Sequence, residues 1–550
     1  MSNRKQSLLT GGLISSAGLL ISKFLSLFYT IPFDAILQTN ANRNIYSQGY
    51  NVYSYILMIA SAGLPFAVAT LVARYIARED YKSTLLVKKI SFYTMTAFGF
   101  ICMCFMILFS GPIARQIIEG SKNVETMRIT LVLLSLAVFI VPILSSFRGF
   151  YQGLKEMGVY SASQIIEQIV RIVFLLGVSC IAIYVFGANH VWAVYFGVIA
   201  TSIAGFLTII YIKNYDRKKI TPIKQLAKQQ EGQVIASSII LKELFFLAIP
   251  FLINAVFGYC DTIINQWDFV PGMKAFGEST QTLIDQATLN LYQDGIYYKA
   301  MKLIAIPMIL APGFSSAIYP YITEARERKQ PELVRKYISN CFESVVYIAL
   351  PICFALFIFA RPILYTLYGA TGSDLDTYTM ILQWFALEGL SATICPIFSS
   401  LVMAIGQRKK IVFASFLFFV IKLATNRLFI SVFGIGGMVL SSFLAYMIFA
   451  GLNILIIQKS YNVKWRYTIR KIMFMLLGLF GFYLTSLTFQ FFGMMEYTGN
   501  RILSLVCLSI MGILCCFAYL GITAFCQIPQ SIFGFNLHEF YEKIKGKLKK

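Results

Sequence analysis

This 550-residue chain has only two histidines, His190 and His538, and only 25 acidic side chains against 47 Lys and Arg. So little histidine leaves almost nothing from which to build a histidine metal site or a Ser-His-Asp triad. Charged residues of either sign make up 13% of the chain, too few to coat a soluble globule whose composition is 58% hydrophobic. The cysteines, among them Cys102, Cys104, Cys260, Cys395, Cys507, Cys515 and Cys516, lack zinc spacing and read as small apolar residues within hydrophobic runs. Also missing is any loop between those runs long enough to house a catalytic domain, and no acidic pair or metal motif borders one. A membrane-embedded glycosyltransferase or polymerase is therefore disfavoured.

What the chain does have is apolar length. Stretches of about 20 or more such residues, the length that crosses about 30 Å of hydrocarbon, recur from Leu8 to Phe525, and mean hydropathy is +0.70. About fourteen spans start near Leu8, Tyr46, Ile90, Met127, Ser161, Val191, Glu243, Gln293, Tyr337, Thr379, Ile411, Gly436, Ile472 and Arg501. Every second connection is basic, from Arg74–Lys89, through Arg148 and Lys155, Lys213–Lys242, Arg326–Lys336 and Arg408–Lys410, to Lys459–Lys471. By that count about 34 Lys and Arg lie on one side against about eight on the other. The pattern predicts an all-α, multi-pass protein of the cell membrane with both termini cytoplasmic. It also accounts for the net charge of +22 without nucleic acid as a partner. Met1–Lys5 leads into a full-length span without a small-residue cleavage site, so the first helix is expected to stay as an anchor.

Internal similarity divides the chain. Pro142-Ile143-Leu144-Ser145-Ser146 in span four matches Pro396-Ile397-Phe398-Ser399-Ser400 in span ten, each before a basic turn. Gly63-Leu64-Pro65 leading to Ala73-Arg74 matches Pro312-Gly313-Phe314 leading to Ala325-Arg326. The expected organisation is an N-terminal lobe over 1–213, a basic cytoplasmic linker over 214–242 and a C-terminal lobe over 243–457. Two further helices lie in 458–525, and a basic tail in 526–550 either lies on the inner leaflet or frays. Both lobes would start on the cytoplasmic side and be related by an axis along the membrane normal. Gly63, Pro65, Pro312 and Gly313 can loosen spans two and eight, as static kinks or as hinges.

Several charges fall where a bilayer should reject them. An ion at mid-membrane costs roughly 2.5–3.5 kcal/mol even on the lenient insertion scale, so it faces a partner or a watery cavity. Lys23, Glu167, Arg171, Asp261, Lys299, Lys302, Glu388 and Lys422 all fall inside spans. Glu167 and Arg171 are four apart, which a simple intrahelical ion pair explains. Lys299 and Lys302 share one face after Asp294 and either snorkel outward or line a chamber. Lys23, about fifteen residues into span one, either lines a cavity or pairs with Asp261 or Glu388. Lys422 has the same two options, and Asp261 reads as a counter-ion or a coupling site. A chamber lined by Lys23, Lys299, Lys302, Lys422 and Arg171 would favour an anionic substrate, whereas a cationic-drug pump needs an acidic one.

The stretch Arg148-Gly149-Phe150-Tyr151-Gln152-Gly153, then Met157-Gly158, then Ser163-Gln164-Ile165-Ile166-Glu167-Gln168-Ile169-Val170-Arg171, resembles the polysaccharide-exporter branch of the multidrug/oligosaccharidyl-lipid/polysaccharide (MOP) flippase superfamily, home of the YtgP/SpoVB-type and MurJ-like proteins. That resemblance implies a MATE-like fold with two six-helix lobes and two extra helices that form a groove for a polyprenyl tail. It implies a flippase that moves an undecaprenyl-diphosphate-linked precursor, lipid II first, by alternating access. Teichoic-acid, capsule or sporulation polysaccharide precursors are the alternatives, as is ion-coupled multidrug export. In the family, cavity arginines grip the diphosphate; Ser22-Lys23 matches the Ser-Arg of the first helix, but Tyr29 stands where a second base would follow. Arg148 would gate the cytoplasmic side. No cofactor or metal is expected, with coupling to the membrane potential or a monovalent cation. The implied setting is a monomer in the lipid bilayer, with cell-wall synthesis proteins as candidate partners.

Overall fold

The computed structural model describes residues 25, 29–61, 63–154, 156–230, 235–282, 284–308, 314, 318, 321–322, 325–326, 328–494 and 499–533. Lys23, Pro312, Gly313, Lys155 and the tail from residue 534 lie outside them. Among the described residues the chain is helical, with no strand. In chain order the helices are α1 (Thr30–Leu37), α2 (Asn40–Ser61), α3 (Leu64–Ala77), α4 (Tyr81–Ile117), α5 (Ser121–Gly153), α6 (Met157–Cys180), α7 (Val191–Gln229), α8 (Ser237–Gly258) and α9 (Asp261–Thr280). They continue as α10 (Gln286–Gln293), α11 (Met301–Met308), α12 (Pro331–Ile358), α13 (Ala360–Tyr368), α14 (Gly372–Ala404), α15 (Arg408–Tyr461), α16 (Trp465–Phe491), α17 (Arg501–Phe525) and α18 (Ile528–Phe533). Ten elements are long and apolar enough to cross a membrane, among the described residues. Helices suit this because all their backbone bonds are internal and none is left for lipid to satisfy.

Two of the expected spans are not single rods, and two others run on across a bend. Gly63, at φ 70°, separates α2 from α3, so Pro65 sits in the first turn of a new helix, where its missing N–H costs nothing, and not inside a kinked one. Tyr259–Cys260 interrupts span seven, which places Asp261 in the first turn of α9. The 54 residues of α15 would reach roughly 80 Å at about 1.5 Å each, more than twice the hydrocarbon thickness. Gly434, at φ 61° and ψ −136°, breaks that run in two. Only glycine adopts such a conformation without strain, because a Cβ there collides with the neighbouring backbone.

Two compact units result. Unit one holds the described residues up to Asn290 plus Leu423–Gly434; unit two holds Leu291–Lys422 and the described residues from Ile435 on. The division by hydropathy and repeat, with its second lobe starting at 243, follows chain order; the compact units do not. Polar bonds explain the shift of α8 and α9 into unit one: Arg74 pairs with Glu243 at 3.0 Å, Tyr55 Oη donates to Val256 O at 2.6 Å and Gln266 Nε2 to Gln48 O at 3.0 Å. In apolar surroundings such groups pack with the partner that satisfies them.

Unit one centres on α3, α4, α5 and α7, around Val68, Leu71, Val72, Phe147, Phe150 and Ile212. Glycines make the α3–α5 contact close: a Cβ on Gly149 would meet Pro65 O at 2.7 Å, and one on Gly153 would meet Val72 Cβ at 2.6 Å. In unit two the hairpin α16–α17 docks on α12 through Tyr347, Phe482, Met511 and Tyr519. Glu343, 2% exposed, accepts from Thr468 and Lys471, both at 2.7 Å, and ties that hairpin down. Large apolar side chains such as Phe105 and Leu108 on α4 and Phe480 and Phe517 on α16 and α17 stay exposed, as lipid-facing surfaces do. Gly434→Ala is expected to cost about 1–3 kcal/mol and lower the apparent melting temperature in detergent. Gly451→Ala, on the same element with open space beside it, should leave that temperature unchanged or raise it.

Candidate functional site

Ser163, Glu167 and Arg171 recur every four residues on α6 and so share one face. Glu167 Oε1 takes Arg171 Nη2 at 2.8 Å, the intrahelical pair that the spacing suggests, and its Oε2 takes Arg148 Nη2 at 2.8 Å. Arg148 Nε also donates to Ser163 Oγ at 2.9 Å, and Arg171 Nη1 to Gln168 Oε1 at 3.5 Å. The side chains of Arg148, Glu167 and Arg171 are 11%, 12% and 19% exposed. Two guanidiniums thus share one carboxylate, leaving one positive charge in excess. Arg148 is not a solvated charge of a basic turn, as its place in the sequence suggests; it sits inside α5 and is bound to α6.

Unit two builds a second buried charge network. Asp294–Ala300 forms a π-helical turn between α10 and α11, and Asp294 pairs with Lys299 five residues on. In an α-helix those positions diverge, whereas a wider π turn brings them to one side. Lys299 is 3% exposed and its ammonium lies 4.0 Å from the Tyr378 ring centre, whose Oη donates to Asp294 Oδ2 at 2.9 Å. Such desolvated cation–π contacts help to hold an ammonium out of water. Lys302 Nζ lies 3.4 Å from the centre of the Tyr298 ring. Snorkelling is thereby ruled out for Lys299: the side chain points into protein and not outward.

Lys422 is fully buried and donates to Ser442 Oγ at 2.6 Å and Met438 O at 3.3 Å, across the bend at Gly434. Glu388 on α14 is 4% exposed. Asp261 accepts from Asn265 Nδ2 at 3.3 Å within unit one. The same face of α9 carries Asp268, which the sequence reading passed over; Asn426 Nδ2 donates to it at 3.0 Å and to Ile264 O at 3.3 Å. The signal was present in the i, i+4, i+7 spacing of Asp261, Asn265 and Asp268 along one helical face. It was hidden because the sequence alone shows no break before Asp261. Among the described residues no group of three or more His, Cys, Asp or Glu is placed to hold a metal ion.

Long apolar helices, with carboxylates and cations sequestered in their interior, define a polytopic membrane protein. The chain belongs to the polysaccharide biosynthesis protein family, whose model matches residues 8–325. It is 27% identical over 479 residues to the lipid II flippase MurJ of Bacillus subtilis (strain 168), covering 85% of this chain and 86% of that one. Among solved structures, the lipid II flippase MurJ in an inward closed conformation superposes with a TM-score of 0.65 at 14% identity, covering 93% and 98% of the two chains. An inward-facing multidrug resistance MATE family transporter of the MOP superfamily gives 0.61 at 14% identity, over 79% and 96%. The fold is that of the MOP superfamily, and the chain is a multi-pass membrane protein.

Sharing one carboxylate makes the unit-one triad asymmetric. Glu167→Gln strands two buried cations, whereas Arg171→Gln leaves a neutral Arg148–Glu167 pair. The first substitution is expected to destabilise the protein more than the second, by about 1–3 kcal/mol, as read from thermal unfolding in detergent.

Proposed function

We propose that this protein flips an anionic, lipid-linked glycan precursor, most specifically lipid II, from the inner to the outer leaflet of the cytoplasmic membrane by alternating access. One observation carries the reading: on α6 two buried guanidiniums, Arg148 and Arg171, share the single carboxylate of Glu167. A phosphorylated headgroup supplies the missing negative charge, and charge-assisted bonds to it are strong where water is scarce. Lys23 would add a further cation from the first span, Arg148 would gate the cytoplasmic side, and both termini would lie in the cytoplasm. Bends at Gly63–Pro65 and Pro312–Gly313 would let the helices move. The docked hairpin α16–α17, with its exposed Phe480, Ile513 and Phe517, offers apolar surface along which a polyprenyl tail could stay in lipid. No covalent bond changes.

Energy would come from the membrane potential or a monovalent cation. Outward movement of each full negative charge across 100 mV is worth about 2.3 kcal/mol when the inside is negative. For a cation, Asp261 and Asp268 with Asn265 and Asn426 present an all-oxygen donor set, the kind that hard monovalent ions take; Asn265 Oδ1 and Asn426 Oδ1 have no hydrogen-bond partner within the described protein. In proteoliposomes the flipping rate should fall when the potential is collapsed, and an unchanged rate removes that coupling.

Complementation of a strain depleted of its lipid II flippase tests the substrate. The parent chain should restore growth, and well-expressed Lys23→Ala and Arg171→Ala variants should not. Failure of the parent, with lipid II still accumulating in the inner leaflet, moves the assignment to a teichoic-acid, capsule or sporulation glycolipid. A drug-sensitive deletion strain would move it to multidrug export.

A further inference from the structure

At one end of unit one, α4 and α7 enclose a pocket of about 440 Å³ that the transport reading does not use. Its rim carries four exposed cations, Lys89, Lys213, Arg217 and Lys224. A fifth, Lys88, is bound to Asp216, the only acid lining the pocket, and Asp216 also accepts from Tyr151 Oη. With that pair neutral, four positive charges face a single recess. None of the four makes an ion pair with a described residue. Phe92, Tyr93 and Phe147 form the apolar wall, and Tyr93 is 60% exposed.

The recess is held open by construction. Gln230, just past the end of α7, accepts from Lys82 N and donates to Asp80 Oδ1, each at 3.0 Å, so the end of α7 is pinned to the start of α4. Its depth in the membrane follows from the same two helices. The apolar run of α4 begins at Ile90, just beyond Lys88 and Lys89, and that of α7 ends at Ile212, just before Lys213. Both helices pass through the pocket where hydrocarbon gives way to headgroups. Charge above and aromatic surface below match a molecule with a phosphate at the interface and acyl chains beneath it.

We propose that this pocket binds the headgroup of an anionic phospholipid of the surrounding leaflet, with Lys213, Arg217 and Lys224 contacting the phosphate and Phe92 and Tyr93 the upper acyl chains. The site uses none of the residues assigned to substrate binding and stands whichever precursor is carried. Full-length protein in detergent, offered equal concentrations of phosphatidylglycerol and phosphatidylcholine, should retain phosphatidylglycerol preferentially when bound lipids are counted by native mass spectrometry. Combining Lys213→Gln, Arg217→Gln and Lys224→Gln should reduce that preference at least about tenfold. Combining Arg408→Gln, Lys409→Gln and Lys410→Gln removes equal charge from another basic turn and should not. A preference retained by the first variant, or lost equally by both, overturns the proposal. Undecaprenyl diphosphate at matched concentration should leave the bound phosphatidylglycerol in place; displacement gives the pocket to the carrier lipid instead and overturns the phospholipid assignment. Should the first variant fail to fold, a photoactivatable phosphatidylglycerol on the parent decides: labelling within 85–93 or 213–224 is expected, and labelling only elsewhere overturns the proposal.

Discussion

An unpaired charge in a low-dielectric interior is the state this molecule is built to avoid. Three buried groups show different solutions to that problem. Glu167 is bracketed by two guanidiniums, Lys299 is closed in by Asp294 and the Tyr378 ring, and Lys422 is held by a hydroxyl and a carbonyl. Replacing buried ion pairs with apolar groups of the same volume is often neutral or stabilising. Their presence therefore points to work done by charge, and the two guanidiniums on Glu167 give that work a sign.

Backbone irregularity serves the same end. A π turn is what lets Asp294 reach Lys299, and the break before Asp261 sets that carboxylate in a first turn, where unpaired N–H groups and the helix dipole favour it. The bend at Gly434 puts Met438 and Ser442 within reach of Lys422. In a soluble protein water would repair such defects. Here the irregular stretches are tolerated where protein groups meet the exposed backbone or the ion beside it.

Particular residues show where reading the sequence works and where it stops. Glu167 and Arg171 were paired from their spacing alone, since four residues on a helix is a fixed geometry. Arg148 was assigned to a basic turn because positive-inside counting treats charges near a span's end alike; only packing of α5 on α6 showed that it faces inward. Lys299 and Lys302 kept two readings because α-helical periodicity puts them on one face and says nothing about a local π turn. Helical spacing sets Asp268 on one face with Asp261 and Asn265, but the sequence does not show that α9 begins at Asp261.

The sequence by itself determined that this is a helical, multi-pass membrane protein, which side of it is basic, which residues are out of place in lipid and which flippase branch it resembles. These follow from length, hydropathy and nearest-neighbour spacing, all of which are properties of the chain. Tertiary structure decided which cation meets which carboxylate, where long helices break, and that α8 and α9, together with the Leu423–Gly434 stretch of α15, pack with the helices before the linker. Such outcomes depend on hydrogen bonds between residues hundreds of positions apart, as Gln48 and Gln266 illustrate, and no local pattern encodes them.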